Sequence, residues 1–331
     1  MMNSLAIEAQ GLSRNYQTYK KAEGITSSIQ GFWKREYIYK QALKPTDLQV
    51  PRGQIVGLVG ANGAGKTTLL KLLSGLIAPT GGTAHVLGHA PWKREAIFLK
   101  RISLLLGQKN QLWWDISPLD SYALLTRIYD LDVIEARKKV MELATLLRCE
   151  HVLDVQLRRL SLGERMKMEI IGSLLHSPDI LFLDEPTIGL DIVAQSTIRD
   201  FLIRYVKSKG PTVILTSHYM DDIAQLADRL LLMSQGSLMY DGTVEEFAAQ
   251  ADRNLQLLVR FEKDFLTEER IGLDFVLPAG QREFTFSVTP KDLAVLMSRL
   301  PQLGEIVDLR TEEMDFEGVI RKFLEKESRV L

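Results

Sequence analysis

A single cysteine, Cys149, occurs in 331 residues. An intrachain disulfide is therefore impossible, and a reducing, cytosolic setting is the default expectation. No basic-then-apolar leader opens the sequence. Charged residues interrupt every apolar run well short of the roughly 18 residues that a spanning helix requires. Any part that crosses a membrane is expected to be a separate polypeptide. Charge of one sign is lacking too: 41 basic side chains face 42 acidic ones, a formal net charge of −1. That balance removes the electrostatic case for a dedicated nucleic-acid binder. Histidine is sparse, and His85, His89, His151 and His176 stand without metal-ligand spacing. What the chain does have is apolar material, 46% of residues beside an ordinary 25% charged, enough for a sizeable core. At this length one large domain with a smaller one is the natural expectation.

The chemistry is concentrated in short strings. Gly60, Ala61, Asn62, Gly63, Ala64, Gly65, Lys66, Thr67 and Thr68 satisfy Gly-x-x-x-x-Gly-Lys-Thr. They follow the apolar run Gln54–Val59 and lead into Leu69–Leu73, which reads as strand, loop and helix. The glycines let the backbone curl so that successive amide N–H groups face a β-phosphate, and the helix N-terminus adds its dipole. Lys66 is placed to reach the β- and γ-phosphates, and the Thr67 hydroxyl to bind Mg²⁺. A second apolar strand, beginning at Asp179, ends in Asp184-Glu185-Pro186. Because side chains alternate along a strand, the two carboxylates point differently. Asp184 suits Mg²⁺, through water, and Glu185 suits general-base attack by water. Alone, such a strand end is commonplace.

Phosphate loop, Asp-Glu strand and the string Leu160-Ser161-Leu162-Gly163-Glu164 stand in the order and spacing of the nucleotide-binding subunits of ABC transporters. The chain resembles that family over about residues 5–240. The resemblance implies an α/β fold, an ABC-type P-loop NTPase with a helical subdomain, that binds ATP and Mg²⁺ and hydrolyses ATP. It assigns Tyr16 to stacking on adenine, an ordinary strand tyrosine being the other reading. It assigns Gln108 to Mg²⁺ and the attacking water, with Gln111 as competitor, His218 to the γ-phosphate, and Asp191 to a loop that communicates across a dimer. Ser161, Gly163 and Glu164 are expected to close on the nucleotide from a partner subunit. The family's usual signature is Leu-Ser-Gly-Gly-Gln, so Leu162 and Glu164 are departures. The longer string Leu-Ser-Leu-Gly-Glu-Arg-Met-Lys is similar to a subgroup of bacterial exporter ATPases, which makes this an active variant. The partners so implied are a second nucleotide-binding subunit and separate transmembrane permeases, at the cytoplasmic face of the cell membrane, with no nucleic acid. The alternative is a soluble mechanochemical ABC ATPase acting on ribosomes or DNA. Such relatives carry two cassettes or long coiled coils, and this chain has neither.

The sequence divides into an ATPase domain at 1–245 and an α+β appendage at 246–331. Within the first, strands are expected at Leu5–Leu12, Ala42–Val50, Thr83–Leu87 and Ile102–Gln108, with a helical subdomain at about 109–177. Helices there open at Ser117-Pro118 and run over Val133–Leu147. Met141, Met166 and Met168 follow helical spacing and read as packing residues. Trp113-Trp114 suits either an exposed anchor for a permease or subdomain core. The segment at about 18–40 reads as an insertion, and its Phe32, Trp33, Lys34 and Arg35 suit a membrane interface, an acidic partner or a lid over the nucleotide. The appendage is expected to hold strands at Leu255–Phe261, Phe284–Val288 and Ile306–Arg310 and a helix from Thr289-Pro290 to Leu300.

Overall fold

A computed structural model of the chain describes residues 5–19, 37–107, 111–217, 219–250, 255–266, 268–272, 275–313, 316, 318–321 and 323. These fall into two compact units, Met1–Thr243 and Val244–Leu331. Leaving short helical turns aside, the first holds β1 (Leu5–Tyr19), β2 (Tyr37–Pro51), β3 (Ile55–Val59), α1 (Lys66–Leu73), β4 (Gly81–Val86) and β5 (Ile102–Leu106). Three helices follow, α2 (Pro118–Ile128), α3 (Val133–Leu147) and α4 (Leu162–Leu174). The unit is completed by β6 (Ile180–Asp184), α5 (Ile192–Lys209), β7 (Thr212–Thr216), α6 (Met220–Leu226), β8 (Arg229–Ser234) and β9 (Ser237–Thr243).

A six-stranded sheet has the order β5-β6-β7-β3-β8-β9, parallel from β5 to β8 and closed by antiparallel β9. Its central strands are apolar throughout because both faces are covered: all five residues of β3 and of β7 are buried. A second, antiparallel sheet has the order β2-β1-β4. Leu69, Leu70, Leu72 and Leu73 of α1 share one core with Ile7, Leu12 and Leu43 of the antiparallel sheet and with Leu58, Phe182 and Leu231 of the parallel one. The helix that leaves the phosphate loop is thereby pinned on two sides. Burying each such leucine contributes about 2 kcal/mol.

The hairpin of β1 and β2 departs from expectation. Both strands run longer than the hydrophobic pattern indicates, with Tyr16 opposite Lys40 and Tyr19 opposite Tyr37. Tyrosine and isoleucine at these positions favour extended backbone, so the ladder continues past the apolar stretch. The ends of the expected insertion are thus strand, and residues 20–36, with Phe32, Trp33, Lys34 and Arg35, lie outside the described residues.

The three subdomain helices begin on side-chain caps: Ser117 accepts from the Asp120 N–H, Asp132 from Ile134 and Glu135, and Ser161 from Glu164. Met166 and Met168 are buried as expected, whereas Met141 lies on the outer face of α3 at 44% exposure. Trp113 and Trp114 are both exposed, which settles them as surface residues. Cys149, fully buried, donates its thiol toward the Ala144 carbonyl, and burial pushes its pKa up to about 12.

The second unit comprises α7 (Val244–Gln250), β10 (Leu255–Phe261), β11 (Glu269–Gly272), β12 (Phe275–Leu277), β13 (Glu283–Val288), α8 (Pro290–Leu303) and β14 (Ile306–Glu313). Its sheet, β13-β10-β14, is antiparallel. Leu296 and Leu300 of α8 pack with Leu257, Val259, Phe284 and Phe286 of that sheet. Thr289 and Asp292 form a reciprocal capping box, with Pro290 in the first turn. The β11–β12 hairpin is absent from the sequence reading, since of its seven strand residues Arg270 and Gly272 break any apolar alternation.

Candidate functional site

Parallel pairing brings the C-terminal ends of β5, β6, β7 and β3 to one edge, with Leu106, Asp184, Thr216 and Leu58 in adjacent register. Ligand sites of open α/β sheets form at such an edge. The loop Gly60–Gly65 leaves β3 there. Gly60 has φ 154°, and a Cβ on it would lie 2.2 Å from the Met233 carbonyl oxygen, so only glycine fits. Ala64 N–H bonds the Ala61 carbonyl at 3.0 Å, and Gly236 N–H bonds the Ala64 carbonyl at 2.9 Å. Ala61, Asn62 and Gly63 are exposed, whereas Ala64, Gly65 and Lys66 are buried and Thr67 and Thr68 half-buried. No side chain caps α1 and no acidic residue stands in its first turn. Its first N–H groups are thus free of a side-chain cap from the helix itself, which suits an anion.

Lys66, 6% exposed, donates from Nζ to the carbonyls of Gly60 at 2.6 Å and Ala61 at 3.3 Å. Burial lowers its pKa, while Glu185 and then Asp184 act to raise it. The two carboxylates are therefore what favours the ammonium form. Thr67 donates its hydroxyl to Asp184 Oδ2 at 3.0 Å, and Thr216 donates to Asp184 Oδ1 at 2.8 Å. A hydroxyl beside a carboxylate is the hard-oxygen donor set that Mg²⁺ takes. The Thr216 hydroxyl also accepts the Glu185 N–H at 2.9 Å. Glu185 itself has φ 57°, the left-handed region, so its side chain leaves the strand end off the normal alternation. Lys66, Thr67, Asp184 and Glu185, expected together, are brought together.

Three residues of this site escape sequence reasoning. Thr216 braces both carboxylate-bearing residues, and its signal was only a threonine ending an apolar strand. Gly107 donates its N–H to the Asp184 carbonyl at 2.8 Å, and a Cβ on it would lie 2.6 Å from that oxygen. The residue before Gln108 must then be glycine. Asp222, 1% exposed, accepts from Thr187 at 2.6 Å, Ser217 at 3.2 Å and Arg199 Nε at 3.1 Å. It joins the loop after Glu185, the residue before His218 and helix α5. Gln108 and His218 themselves lie outside the described residues. Gln111, the competitor for Gln108, donates its side-chain amide to the Leu104 carbonyl of β5. Tyr16 is half-buried, with the Arg14 guanidinium 4.8 Å from its ring centroid.

The Leu160–Glu164 string has a different construction. Ser161 is the N-cap of α4: its hydroxyl accepts the Glu164 N–H at 3.3 Å and donates to Glu164 Oε2 at 2.7 Å, and its own N–H reaches the same oxygen at 2.9 Å. These bonds hold the Glu164 pKa below the usual carboxylate range. Glu164, where the family has glutamine, thus completes a capping box and meets the helix dipole with a negative charge. Leu162 takes the first helical position without a positive φ, and Gly163 the second. The string abuts the Gly189–Asp191 loop: Leu162 Cδ2 would lie 3.2 Å from a Cβ on Gly189, and Asp191 caps α5 through the Ala194 N–H at 2.9 Å. Ser161 and Leu162 are both exposed.

Comparison with known proteins agrees with this geometry. The family model described as "ABC transporter" matches residues 43–188. The daunorubicin/doxorubicin resistance ATP-binding protein DrrA of Streptomyces peucetius is 31% identical over 250 residues, 76% of this chain and 69% of its own. The Nod factor export ATP-binding protein I of Cupriavidus metallidurans is 34% identical over 270 residues, 82% of this chain and 79% of its own. Among solved structures, cbiO1 from Clostridium perfringens, part of the ABC transporter complex cbiONQ, superposes with a TM-score of 0.61 at 26% identity, covering 74% of this chain and 91% of that one. With the phosphate loop, the braced carboxylates and the capped signature helix in place, this chain belongs to the ATP-binding subunits of ABC transporters and is an ATP hydrolase.

Proposed function

We propose that the chain energises an exporter by closing head to tail with a second copy, each ATP lying between Gly60–Thr68 of one subunit and Ser161–Gly163 of the other. The observation that carries this reading is the brace among Thr67, Asp184, Thr216 and Glu185 at the sheet edge. It holds a general-base carboxylate beside a buried ammonium, ready for a phosphate and an attacking water. Lys66 binds the β- and γ-phosphates, and the N–H groups at the start of α1 take the negative charge between them. Thr67 and Asp184, with Gln108, would hold Mg²⁺, which would neutralise charge on the phosphate oxygens. Glu185 accepts the proton of the attacking water, His218 contacts the γ-phosphate, and Tyr16 stacks on adenine. Exposed Ser161, with the Gly163 N–H, meets the partner's nucleotide. Two γ-phosphates hold the dimer closed, and hydrolysis releases it by removing that bridging charge.

The drug-resistance and Nod factor export relatives support the export direction. Among the described residues no helix is long and apolar enough to cross a membrane, which fits a peripheral subunit working under separate permeases at the cytoplasmic face. Exposed Trp113 and Trp114 are the anchors for such a permease.

Glu185→Gln tests the reading. The variant should bind ATP normally, hydrolyse it about 10²–10⁴-fold more slowly, and accumulate as a stable dimer in Mg·ATP. Turnover near the parent rate in the purified variant, measured by phosphate release, defeats the assignment.

A further inference from the structure

Helix α4 carries a second set of side chains that contact with phosphate leaves unused. Arg165, Glu169 and Gly172 recur at i, i+4 and i+7 and so share one face. All three meet the stretch that follows Gln108. Glu169, 3% exposed, accepts the Gln111 N–H at 3.0 and 3.2 Å to its two oxygens and the Leu112 N–H at 3.3 Å. The Arg165 guanidinium lies 4.9 Å from the ring centroid of Trp114. Leu112 packs so close to Gly172 that a Cβ there would lie 3.0 Å from Leu112 Cδ2.

A buried carboxylate is costly on a helix that also buries Met166, Met168, Ile170 and Ile171. Burial pushes the Glu169 pKa up, and among the described residues the Gln111 and Leu112 N–H groups and Arg165 oppose that. Its compensation therefore comes chiefly from the backbone of one loop, so the helix and that loop are joined by charge-assisted bonds. On the other side of Gln108, Gly107 is joined to the Asp184 carbonyl. Farther along, Arg158 N–H bonds the Trp114 carbonyl and Leu157 N–H bonds the Ile116 carbonyl, tying the same stretch to the approach to Leu160.

We propose that Glu169 is a positioning residue for hydrolysis, fixing residues 111–114 to the signature helix and so setting the downstream anchor of Gln108 relative to Asp184. This rests on the reading of Gln108 as a contact of Mg²⁺ and the attacking water. Glu169→Gln keeps the shape but turns one acceptor oxygen into an NH₂ that faces a backbone N–H.

The test is a double-mutant cycle in steady-state ATPase kinetics on the full chain: parent, Glu169→Gln, Gln108→Ala and both together. Supporting outcomes are a kcat lower by about tenfold in Glu169→Gln with KM within about twofold, and a further loss under about twofold when the same change is made on Gln108→Ala. Equal losses on both backgrounds, or an unchanged kcat in Glu169→Gln, overturn the proposal. If Gln108→Ala alone hydrolyses at the parent rate, the reading of Gln108 fails instead, and the proposal with it. Glu169→Asp, which keeps the charge on a shorter arm, serves in the same cycle if the glutamine variant is not recovered folded.

Discussion

The two halves of the proposed ATP site are built in opposite ways. The phosphate-loop half lies at the ends of buried strands, and its polar groups brace one another across the chain: Thr67 and Thr216 both hold Asp184, although 117 and 32 residues away. The signature half is exposed and satisfies itself locally, the side chains of Ser161 and Glu164 bonding within the capping box and Glu164 adding an ion pair with His151 at 3.6 Å. The first half is organised by bonds between distant parts of the chain. The second offers a capped helix end whose hydroxyl must exchange a local bond for a new partner. On the head-to-tail reading, a cross-braced half fixes the chemistry and a self-satisfied half can detach in each cycle at little cost, since a cap of this kind contributes only about 1 kcal/mol.

Breaking the exposed half should have the largest effect. In Ser161→Arg, ATP-driven dimerisation should disappear, measured by light scattering in a Glu185→Gln background, while nucleotide binding to the single subunit remains near the parent value. Lost ATP affinity in the monomer would place the signature in the same subunit's site and undo the contrast.

Thr216→Val tests the braced half. Removing that hydroxyl leaves Asp184 with one donor fewer and takes from the Glu185 N–H its shorter bond, the one to the Thr216 carbonyl being 3.2 Å. Turnover should fall about tenfold with ATP affinity retained, and stability by about 1–2 kcal/mol, read by urea titration. Parent kinetics would mean that the brace is packing alone.

The smallest effect concerns two lysines that burial treats alike. Lys66 has two carboxylates restoring its charge, whereas Lys139 on α3 is lowered from 10.5 to about 8 by burial and then by Lys209, with Glu142 opposing. The folded chain thus gives up the Lys139 proton earlier than the unfolded chain does. Between pH 8 and 10.5 the unfolded state binds more protons, so this residue makes stability rise with pH. Lys139→Met should raise the melting temperature at pH 7, and the gain should vanish by pH 10.5. A lower melting temperature at pH 7 would show that the Lys139–Ser177 bond outweighs burial.

Legibility in the sequence followed the same divide. The phosphate loop, the Asp184-Glu185 strand end and the signature helix are local patterns, a turn chemistry or an apolar period, and each stands where the pattern places it. Thr216, Gly107, Asp222 and Glu169 are invisible locally because each role depends on a partner far along the chain, as with Arg199 for Asp222 and Asp184 for Gly107. Met141 misled for a related reason: helical spacing gives a face but not which neighbour covers it, and Met141 is left exposed. Glu164 was read as a departure from the family signature, and its capping role appears only once the helix start is seen.

The buried sulfur of Cys149 gives the molecule an experimental convenience. With its thiolate disfavoured until about pH 12, it should ignore maleimides and spin labels on the folded chain. Cysteines introduced elsewhere would then be the sole attachment points for a probe, with no native residue to remove. One placed at exposed Ile192 or Val193, beside the Gly189–Asp191 loop, would let pulsed dipolar spectroscopy follow the separation of two copies through a catalytic cycle.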